Sequence, residues 1–282
     1  MKSKPKVIVI LGQTAAGKSA YAVKLAKKVG GEVISADSRQ VYKGLNLGTG
    51  KITKKEMHGV PHHLLDVANP KRQFSVSEYK ILGEKAIKEI LKRGHTPIVC
   101  GGTGFYIEAL IDGIIYPEVQ PNKKLRVMLD KKSIETLFKL LKKIDPLRAK
   151  TIDQKNKVRL VRAVEIAKAL GKVPKLKKEI KYDTEFIGLS VSEKELKKRI
   201  HKRVIERLKK GMLNEARSLH KNGLTYKWMN ELGFEYRSMS HHLQGKITKE
   251  EMISQLEKAT WQYAKRQKTW FKRDTRIRWI KN

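Results

Sequence analysis

Short apolar runs alternate with longer helical patterns along most of this chain. Five runs dominated by apolar and β-branched residues have the length of buried strands: 7–11, 32–36, 96–100, 185–191 and 276–280. Between them apolar residues recur at helical spacing, and capping-box patterns at Ser75, Ser192 and Thr248 mark helix starts. Strand alternating with helix predicts an α/β fold, a three-layer parallel sheet that binds ligands at the carboxyl ends of its strands.

Residues 117–183 interrupt this alternation. Leucines recur there at helical spacing, among them Leu129, Leu137 and Leu141, and no strand is expected before residue 185. We therefore predict a helical insertion at 117–183 within a catalytic core formed by 1–116 and 184–282. The insertion is dense in Lys and Arg, which gives either a solvated helix surface or a face that binds an anion.

A complete phosphate-binding sequence, G-x-x-x-x-G-K-[ST], follows the first predicted strand. It consists of Gly12, Gln13, Thr14, Ala15, Ala16, Gly17, Lys18 and Ser19. The backbone N–H groups and the following helix attract phosphate, Lys18 points to the outer phosphates, and the Ser19 hydroxyl is a ligand for Mg²⁺. We expect this P-loop to bind at least two linked phosphates, and the motif alone does not show whether they belong to ATP or to another substrate.

Two further residues follow predicted strands. Asp37 comes directly after the second strand, where a carboxylate holds Mg²⁺, accepts a proton from a nucleophile or caps a turn. Thr103 lies among three glycines after the third strand. This glycine-rich segment either lets a ligand approach the backbone closely or forms a tight turn.

The charge of the chain narrows the class of partner. Lys and Arg number 63 against 28 Asp and Glu, a net charge of +35 over 282 residues. Such a surplus indicates a polyanionic partner, and a general lysine bias of the surface is the alternative.

The single cysteine, Cys100, excludes an intramolecular disulfide and a Cys-based zinc finger, and it is expected in the core. The apolar stretch at residues 7–11 is too short for a signal peptide, and no other segment is long enough to span a bilayer. These features predict a cytoplasmic protein.

Six strings occur in order along nearly the whole chain: 13–19, 37–42 with 48–51, 61–66, 101–106, 159–163 and 262–271. Together they resemble the tRNA dimethylallyltransferase (tRNA isopentenyltransferase) family of the bacterial type. The resemblance implies transfer of a dimethylallyl group from its diphosphate to N6 of the adenosine 3′ of the anticodon, with release of diphosphate.

The resemblance also implies roles for individual residues. The phosphate loop would hold dimethylallyl diphosphate with Mg²⁺ as cofactor, Lys18 and Thr103 would be catalytic, and Asp37 would be the general base. The tRNA anticodon stem-loop would contact Asp37, Ser38, Arg39, Gln40, Thr103, Arg126, Val158, Arg159, Leu160, Val161 and Arg162. We expect a monomer without a membrane partner.

The chain departs from the family pattern at Gly50, because members often carry Gly-Thr-Ala-Lys-Pro where residues 48–52 read Gly-Thr-Gly-Lys-Ile. The arginine that completes diphosphate binding stays open, with Arg207, Arg237 and Arg266 as candidates.

The adjacent pair His62 and His63, with Asp66 nearby, has some features of a metal site. Adjacent histidines seldom bind one ion, so we expect a structural or substrate-channel role instead.

Two other functions are compatible with the loop and the charge. A small-molecule or RNA kinase shares the loop and the sheet, but gives no reason for the strings at 101–105 and 262–271. A non-enzymatic RNA-binding protein with a vestigial loop is the second alternative.

Overall fold

The computed structural model describes residues 3–282, so the first two residues of the predicted core lie outside the described part. The strands are β1 (Lys6–Gly12), β2 (Gly31–Ala36), β3 (His62–His63), β4 (Thr96–Gly101), β5 (Ile114–Ile115), β6 (Lys177–Lys178), β7 (Asp183–Ser190) and β8 (Ile277–Lys281). The first helices are α1 (Lys18–Val29), α2 (Lys54–Met57), α3 (Val76–Lys92), α4 (Gly104–Ile111), α5 (Lys123–Asp130), α6 (Ile134–Ile144), α7 (Pro146–Thr151) and α8 (Lys157–Leu170). The remaining helices are α9 (Glu193–Lys209), α10 (Met212–Lys221), α11 (Tyr226–Leu232), α12 (Phe234–Leu243) and α13 (Lys249–Phe271).

Six of these strands form one parallel sheet in the order β3-β2-β4-β1-β7-β8. All five predicted strands belong to it, which confirms the α/β fold class. The predicted capping boxes at Ser75 and Thr248 are present, and Ser192 caps α9 by accepting a hydrogen bond from the Glu195 N–H. The short edge strand β3 was not predicted, because two residues carry no periodicity.

Alternation of side chains along β1 builds a core on each face of the sheet. Val7, Val9 and Leu11 join the larger cluster, which includes buried residues of α3, α4, α12 and α13. Ile8 and Ile10 point to the opposite face, where α1 supplies Ala22, Val23 and Ala26. The buried Cys100 lies in this second cluster, as expected.

The register brings three strand ends to the same level. Leu11 of β1 and Ala36 of β2 both pair with Gly101 of β4. Because β2, β4 and β1 are neighbours, the segments that leave them emerge side by side at the carboxyl edge of the sheet. The phosphate loop, Asp37 and Thr103 are therefore brought together, although they are far apart in sequence.

The described chain divides into two compact units, one comprising Ile114–Glu179 and the other the rest. The smaller unit consists mainly of α5 to α8 around a core that includes Leu129, Leu141 and Leu160. The expectation of no strand before residue 185 was wrong, because Lys177–Lys178 pairs antiparallel with Ile114–Ile115. These two-residue strands again carry too little sequence pattern to be predicted. No helix within residues 3–282 is long and apolar enough to cross a membrane.

Candidate active site at the carboxyl edge of the sheet

The phosphate loop connects β1 to α1 through residues in left-handed backbone conformations. Gly12 has φ +141° and Gly17 has φ +88°, which glycine adopts without strain. A Cβ atom on Gly12 would come 2.5 Å from the Leu189 carbonyl oxygen. No side chain caps the start of α1, so its first N–H groups are available to an anion.

Lys18 lies at the start of α1 and turns back over the loop. Its Nζ donates a hydrogen bond to the Gln13 carbonyl oxygen at 2.8 Å. Burial lowers the pKa of the Lys18 amine to about 8. The neighbouring Ser19 is exposed and lines the same cavity as Lys18.

Helix α13 fastens the phosphate loop to the glycine-rich segment after β4. The Thr14 N–H donates to Gln267 Oε1 at 2.7 Å, and Gln267 Nε2 donates to the Gly102 carbonyl oxygen at 2.8 Å. Gln13 Nε2 also donates to the Ala264 carbonyl oxygen at 3.1 Å. Gln267 is only 5% exposed, so this link is a buried part of the site that the sequence did not single out.

Asp37 forms a turn directly after β2. Its Oδ1 accepts hydrogen bonds from the N–H groups of Arg39 at 2.8 Å and Gln40 at 3.3 Å. Within the described residues no hydrogen bond to Oδ2 is present. The half-buried carboxylate thus caps the turn, one of the roles left open by the sequence, and its Oδ2 remains available to a further group.

Thr103 connects the β4 end to the β2 end. Its Oγ1 accepts a hydrogen bond from the Ser38 N–H at 3.0 Å, and its own N–H donates to the Ala36 carbonyl oxygen at 3.1 Å. The Tyr263 hydroxyl donates to the Gly102 carbonyl oxygen at 3.4 Å. These contacts hold Ser38 and Thr103 beside Asp37.

A cavity of about 900 Å³ is lined by the phosphate loop, Asp37 and a row of basic side chains from α9. Among the arginines that line it, Arg199 pairs with Glu195 at 2.8 Å. Arg203 and Arg207 have no carboxylate partner within the described chain. Arg203 was missed by sequence reasoning, although α9 offers a signal: the arginines continue the buried stripe of Ile200 and Val204.

The other two candidate arginines line a second cavity, of about 370 Å³, next to Asp37. Arg237 is held by the Asn230 carbonyl oxygen at 2.9 and 3.1 Å, and Arg266 lies 5.8 Å from the Tyr263 ring centroid. The second cavity also contains Glu235, and burial raises the pKa of this carboxyl to about 7.

The histidine pair makes protein contacts. His63 Nε2 lies 2.6 Å from Glu32 Oε2, and His62 Nδ1 lies 2.9 Å from the Val60 carbonyl oxygen. Asp66 accepts a hydrogen bond from Lys51 Nζ at 2.6 Å. Within the part of the chain that the structure describes, no group of three His, Cys, Asp or Glu side chains is arranged to hold a metal. These contacts support the structural role expected for the pair.

The sequence-predicted residues of the insertion divide into two groups. Val158 is 79% exposed and Arg159 is exposed, whereas Leu160 and Val161 are buried in the core of the smaller unit. Arg126 binds the carboxylate of Glu165 through two hydrogen bonds, at 2.7 and 2.9 Å.

Arg162 also binds Glu165 and donates to the Val119 carbonyl oxygen at 2.9 Å. Although burial alone would raise the pKa of Glu165, the two arginines and the Asn122 N–H lower it to about 2. Arg126 and Arg162 therefore compensate a buried charge.

Replacing Arg126 and Arg162 together by alanine is expected to destabilise the smaller unit by about 3–5 kcal/mol, because the buried Glu165 carboxylate loses both partners. The helical signal in circular dichroism should then be lost in two steps on denaturation, with the insertion unfolding first. The exposed Arg159→Ala variant is the control and should change the free energy of unfolding by no more than about 0.5 kcal/mol. Equal free energies of unfolding for the double variant and for Arg159→Ala would contradict a structural role for Arg126 and Arg162.

Comparison with known proteins gives a consistent result. The family model described as IPP transferase matches residues 40–274. The tRNA dimethylallyltransferase of Anoxybacillus flavithermus is 39% identical over 98% of this chain and 90% of its own length. The tRNA dimethylallyltransferase 2 of Treponema denticola is 41% identical over 99% of this chain and 97% of its own.

Solved structures agree with the sequence matches. The full-length tRNA isopentenylpyrophosphate transferase of Bacillus halodurans superimposes with a TM-score of 0.75 at 37% identity, covering 99% of this chain and 90% of that one. A eukaryotic dimethylallyltransferase acting on tRNA superimposes with a TM-score of 0.85 at 29% identity, covering 98% of this chain and 74% of that one.

Proposed function

The chain belongs to the IPP transferase family, and on that premise we propose that it transfers a dimethylallyl group from dimethylallyl diphosphate to tRNA. The acceptor is N6 of the adenosine 3′ of the anticodon, and diphosphate is released. The observation that carries this proposal is the single cavity in which the phosphate loop, the Asp37 carboxylate and unpaired guanidinium groups meet. The cavity thus offers a place for a diphosphate leaving group next to a proton acceptor.

The phosphate loop holds the donor in this proposal. The free N–H groups at the start of α1 and the Lys18 amine bind the diphosphate and stabilise the charge that develops on it as it leaves. The Ser19 hydroxyl, exposed in the cavity, fits a Mg²⁺ ion that takes its other ligands from phosphate and water. Bound there, Mg²⁺ would neutralise part of the leaving-group charge.

Asp37 acts as the general base. The N6 lone pair forms the bond to the allylic carbon, the carbon–oxygen bond breaks with its electrons on the diphosphate, and the N6 proton passes to Asp37 Oδ2. The backbone N–H groups on Oδ1 hold the carboxylate in place. Thr103, whose Oγ1 accepts a hydrogen bond from the Ser38 N–H, contacts the target nucleotide in this proposal. The adenine must leave its stack, which is least costly in a loop.

The insertion and the large positive charge bind the anticodon stem, mainly through phosphates. Arg126 and Arg162 form ion pairs with the buried Glu165, so replacing them would also disturb the fold. Substitution of the exposed residues Lys123, Lys124 and Arg159 tests RNA binding by the insertion without this effect. Replacing these three by alanine should reduce the log–log salt slope of anticodon stem-loop binding by about 0.7–0.9 for each phosphate that is no longer neutralised.

Alanine at Lys28, Lys221 and Lys246, which are exposed on the core unit, is the charge-matched control for the salt titration. An equal decrease of the salt slope in both triple variants would mean that the positive charge attracts the stem-loop from the whole surface and not from the insertion. An unchanged slope in the insertion variant would instead direct attention to the basic helix α13.

Two labelled compounds separate this function from a kinase. Incubation of the protein and tRNA with labelled dimethylallyl diphosphate should label the tRNA, whereas ATP labelled in its γ-phosphate should be neither transferred nor hydrolysed. ATP turnover without prenyl transfer would support the kinase. Binding of tRNA without either reaction would support the RNA-binding protein with a vestigial loop.

We further propose that the enzyme acts in the cytoplasm as a monomer.

A further inference from the structure

Arg203 and Arg207 lie one turn apart on α9, and both line the cavity of the phosphate loop. Within residues 3–282 no carboxylate lies within 4.0 Å of either guanidinium group. The nearest acceptor of Arg207 is the Gly48 carbonyl oxygen, at 3.5 Å. Two half-buried positive charges therefore face the donor cavity side by side; the charges of Asp37 and Glu235 attract both, but neither carboxylate forms an ion pair with them.

Burial lowers the pKa of both groups, that of Arg203 to about 10, and the nearby charge of Arg207 lowers it further. A pair of like charges in a partly desolvated place is unfavourable unless an anion joins it. A diphosphate carries enough charge and enough acceptor oxygens for two guanidinium forks.

Gly50 makes room for this pair. Its φ is +61°, and a Cβ atom there would overlap the Arg207 guanidinium and lie 2.8 Å from NH2 of Arg203. Gly50 is one of two positions, with Ile52, at which the chain departs from the Gly-Thr-Ala-Lys-Pro pattern. The space that an alanine methyl group would occupy at position 50 is thus taken by the Arg207 guanidinium.

The segment around Gly50 is fixed, so it cannot move away from a larger side chain at low cost. Gln40 Nε2 donates to the Gly50 carbonyl oxygen at 3.3 Å. Glu215 accepts hydrogen bonds from the N–H groups of Leu47 at 2.7 Å and Gly48 at 3.0 Å. Residues 47–50 therefore form a rigid wall against which Arg207 lies.

We propose that Arg207 is a second diphosphate-binding arginine beside Arg203, and that Gly50 is the residue that permits its placement. This inference rests on the proposed function, since it assigns the donor's diphosphate to the α9 wall of the same cavity. Arg207 thereby becomes a donor-binding residue. Of the three candidate arginines, Arg207 lines both cavities of the described chain, whereas Arg237 and Arg266 line the smaller one alone.

Calorimetric titration with inorganic pyrophosphate and Mg²⁺ tests Arg207 directly. Arg207→Ala should weaken pyrophosphate binding about ten- to a hundredfold, because a charge-assisted hydrogen bond is removed, and should raise KM for the donor by a similar factor. Binding of the anticodon stem-loop should stay within about twofold. A decrease in stem-loop affinity with unchanged pyrophosphate binding would overturn the proposal.

A double-mutant cycle tests the role of Gly50. Gly50→Ala should weaken pyrophosphate binding in the wild-type background but change it by no more than about twofold in Arg207→Ala, because the displaced group is then absent. Gly30→Ala is the matched control, since Gly30 has the same φ of +61° and a Cβ atom added there would have no other atom within 4 Å. Additive effects of Gly50→Ala and Arg207→Ala would overturn the coupling.

The proposed function fails separately from this inference. If wild-type protein modifies tRNA and Lys18→Ala loses pyrophosphate binding while Arg207→Ala keeps it, only the role of Arg207 is wrong. If pyrophosphate binds wild-type protein and Lys18→Ala equally, the donor does not occupy the phosphate loop and the proposed function itself is contradicted.

Discussion

Replacing Asp37 by asparagine is expected to lower the rate of dimethylallyl transfer by about 10²–10⁴, the usual contribution of a positioned base. Asparagine keeps an oxygen that can accept the N–H groups of Arg39 and Gln40, so the turn after β2 is preserved. It removes the negative charge and the proton acceptor at Oδ2. Single-turnover transfer to tRNA at saturating donor measures the chemical step alone.

Binding separates a catalytic role of Asp37 from a structural one. The Asp37→Asn variant should bind tRNA and pyrophosphate within a few fold of wild type, because neither contact depends on the proton. Asp37→Ala, which also loses the turn, should weaken both binding and rate. Near wild-type turnover in Asp37→Asn would remove this residue from the mechanism.

Lys18→Ala is expected to lower kcat/KM for dimethylallyl diphosphate by about 10²–10³. In other enzymes, removing one hydrogen-bond donor to an anion that develops in the transition state has an effect of this size. The amine lies in the donor cavity at the start of α1, where it donates a hydrogen bond to the Gln13 carbonyl oxygen of the loop. Anticodon stem-loop binding should change little. Steady-state kinetics with each substrate varied in turn distinguishes the two effects.

The pH dependence provides an independent test of Lys18. Because burial lowers the pKa of this amine to about 8, its charge is present below pH 8 and is lost as the pH rises through that value. Pyrophosphate affinity of the wild type, compared with Lys18→Ala at each pH, should therefore fall above pH 8 by up to about tenfold per unit. Parallel pH profiles of the two proteins would contradict a binding role for the Lys18 charge.

Sequence patterns predicted the parts of the fold whose signals are local. Each of the five long strands of the sheet has an apolar run, and the starts of α3, α9 and α13 carry caps that can be identified from the sequence. The phosphate loop is likewise continuous in sequence. Asp37 and Thr103 were selected because they follow strands, and parallel pairing brings such residues to one edge.

Other parts of the site depend on packing between distant segments. Gln267 connects α13 to the phosphate loop and to Gly102. It lies in the string 262–271, but a string match does not show which of its residues makes a contact across the fold. Arg203 and Arg207 belong to a helix with many basic residues. Their spacing places them on the stripe of Ile200 and Val204, but only the fold shows that this stripe ends in the cavity.

The insertion shows a further limit of pattern matching. Arg126 and Arg162 were selected as tRNA contacts by resemblance, but their partner Glu165 is only 2% exposed and binds both. A substitution at either arginine therefore measures the stability of the smaller unit as well as any effect on tRNA binding. Leu160 and Val161, selected by the same resemblance, lie in the core of the smaller unit, where their side chains pack α8 against its neighbours.

Mass spectrometry of nucleosides tests the central claim most directly. The protein is incubated with unmodified tRNA, dimethylallyl diphosphate and Mg²⁺. One portion of the tRNA is then cut with a site-specific ribonuclease to locate the modified residue, and a second portion is digested to single nucleosides to identify it. The account predicts one added dimethylallyl group on the adenosine 3′ of the anticodon, with release of one diphosphate for each modified tRNA. Wild-type protein that binds tRNA and donor but leaves this adenosine unmodified would contradict it.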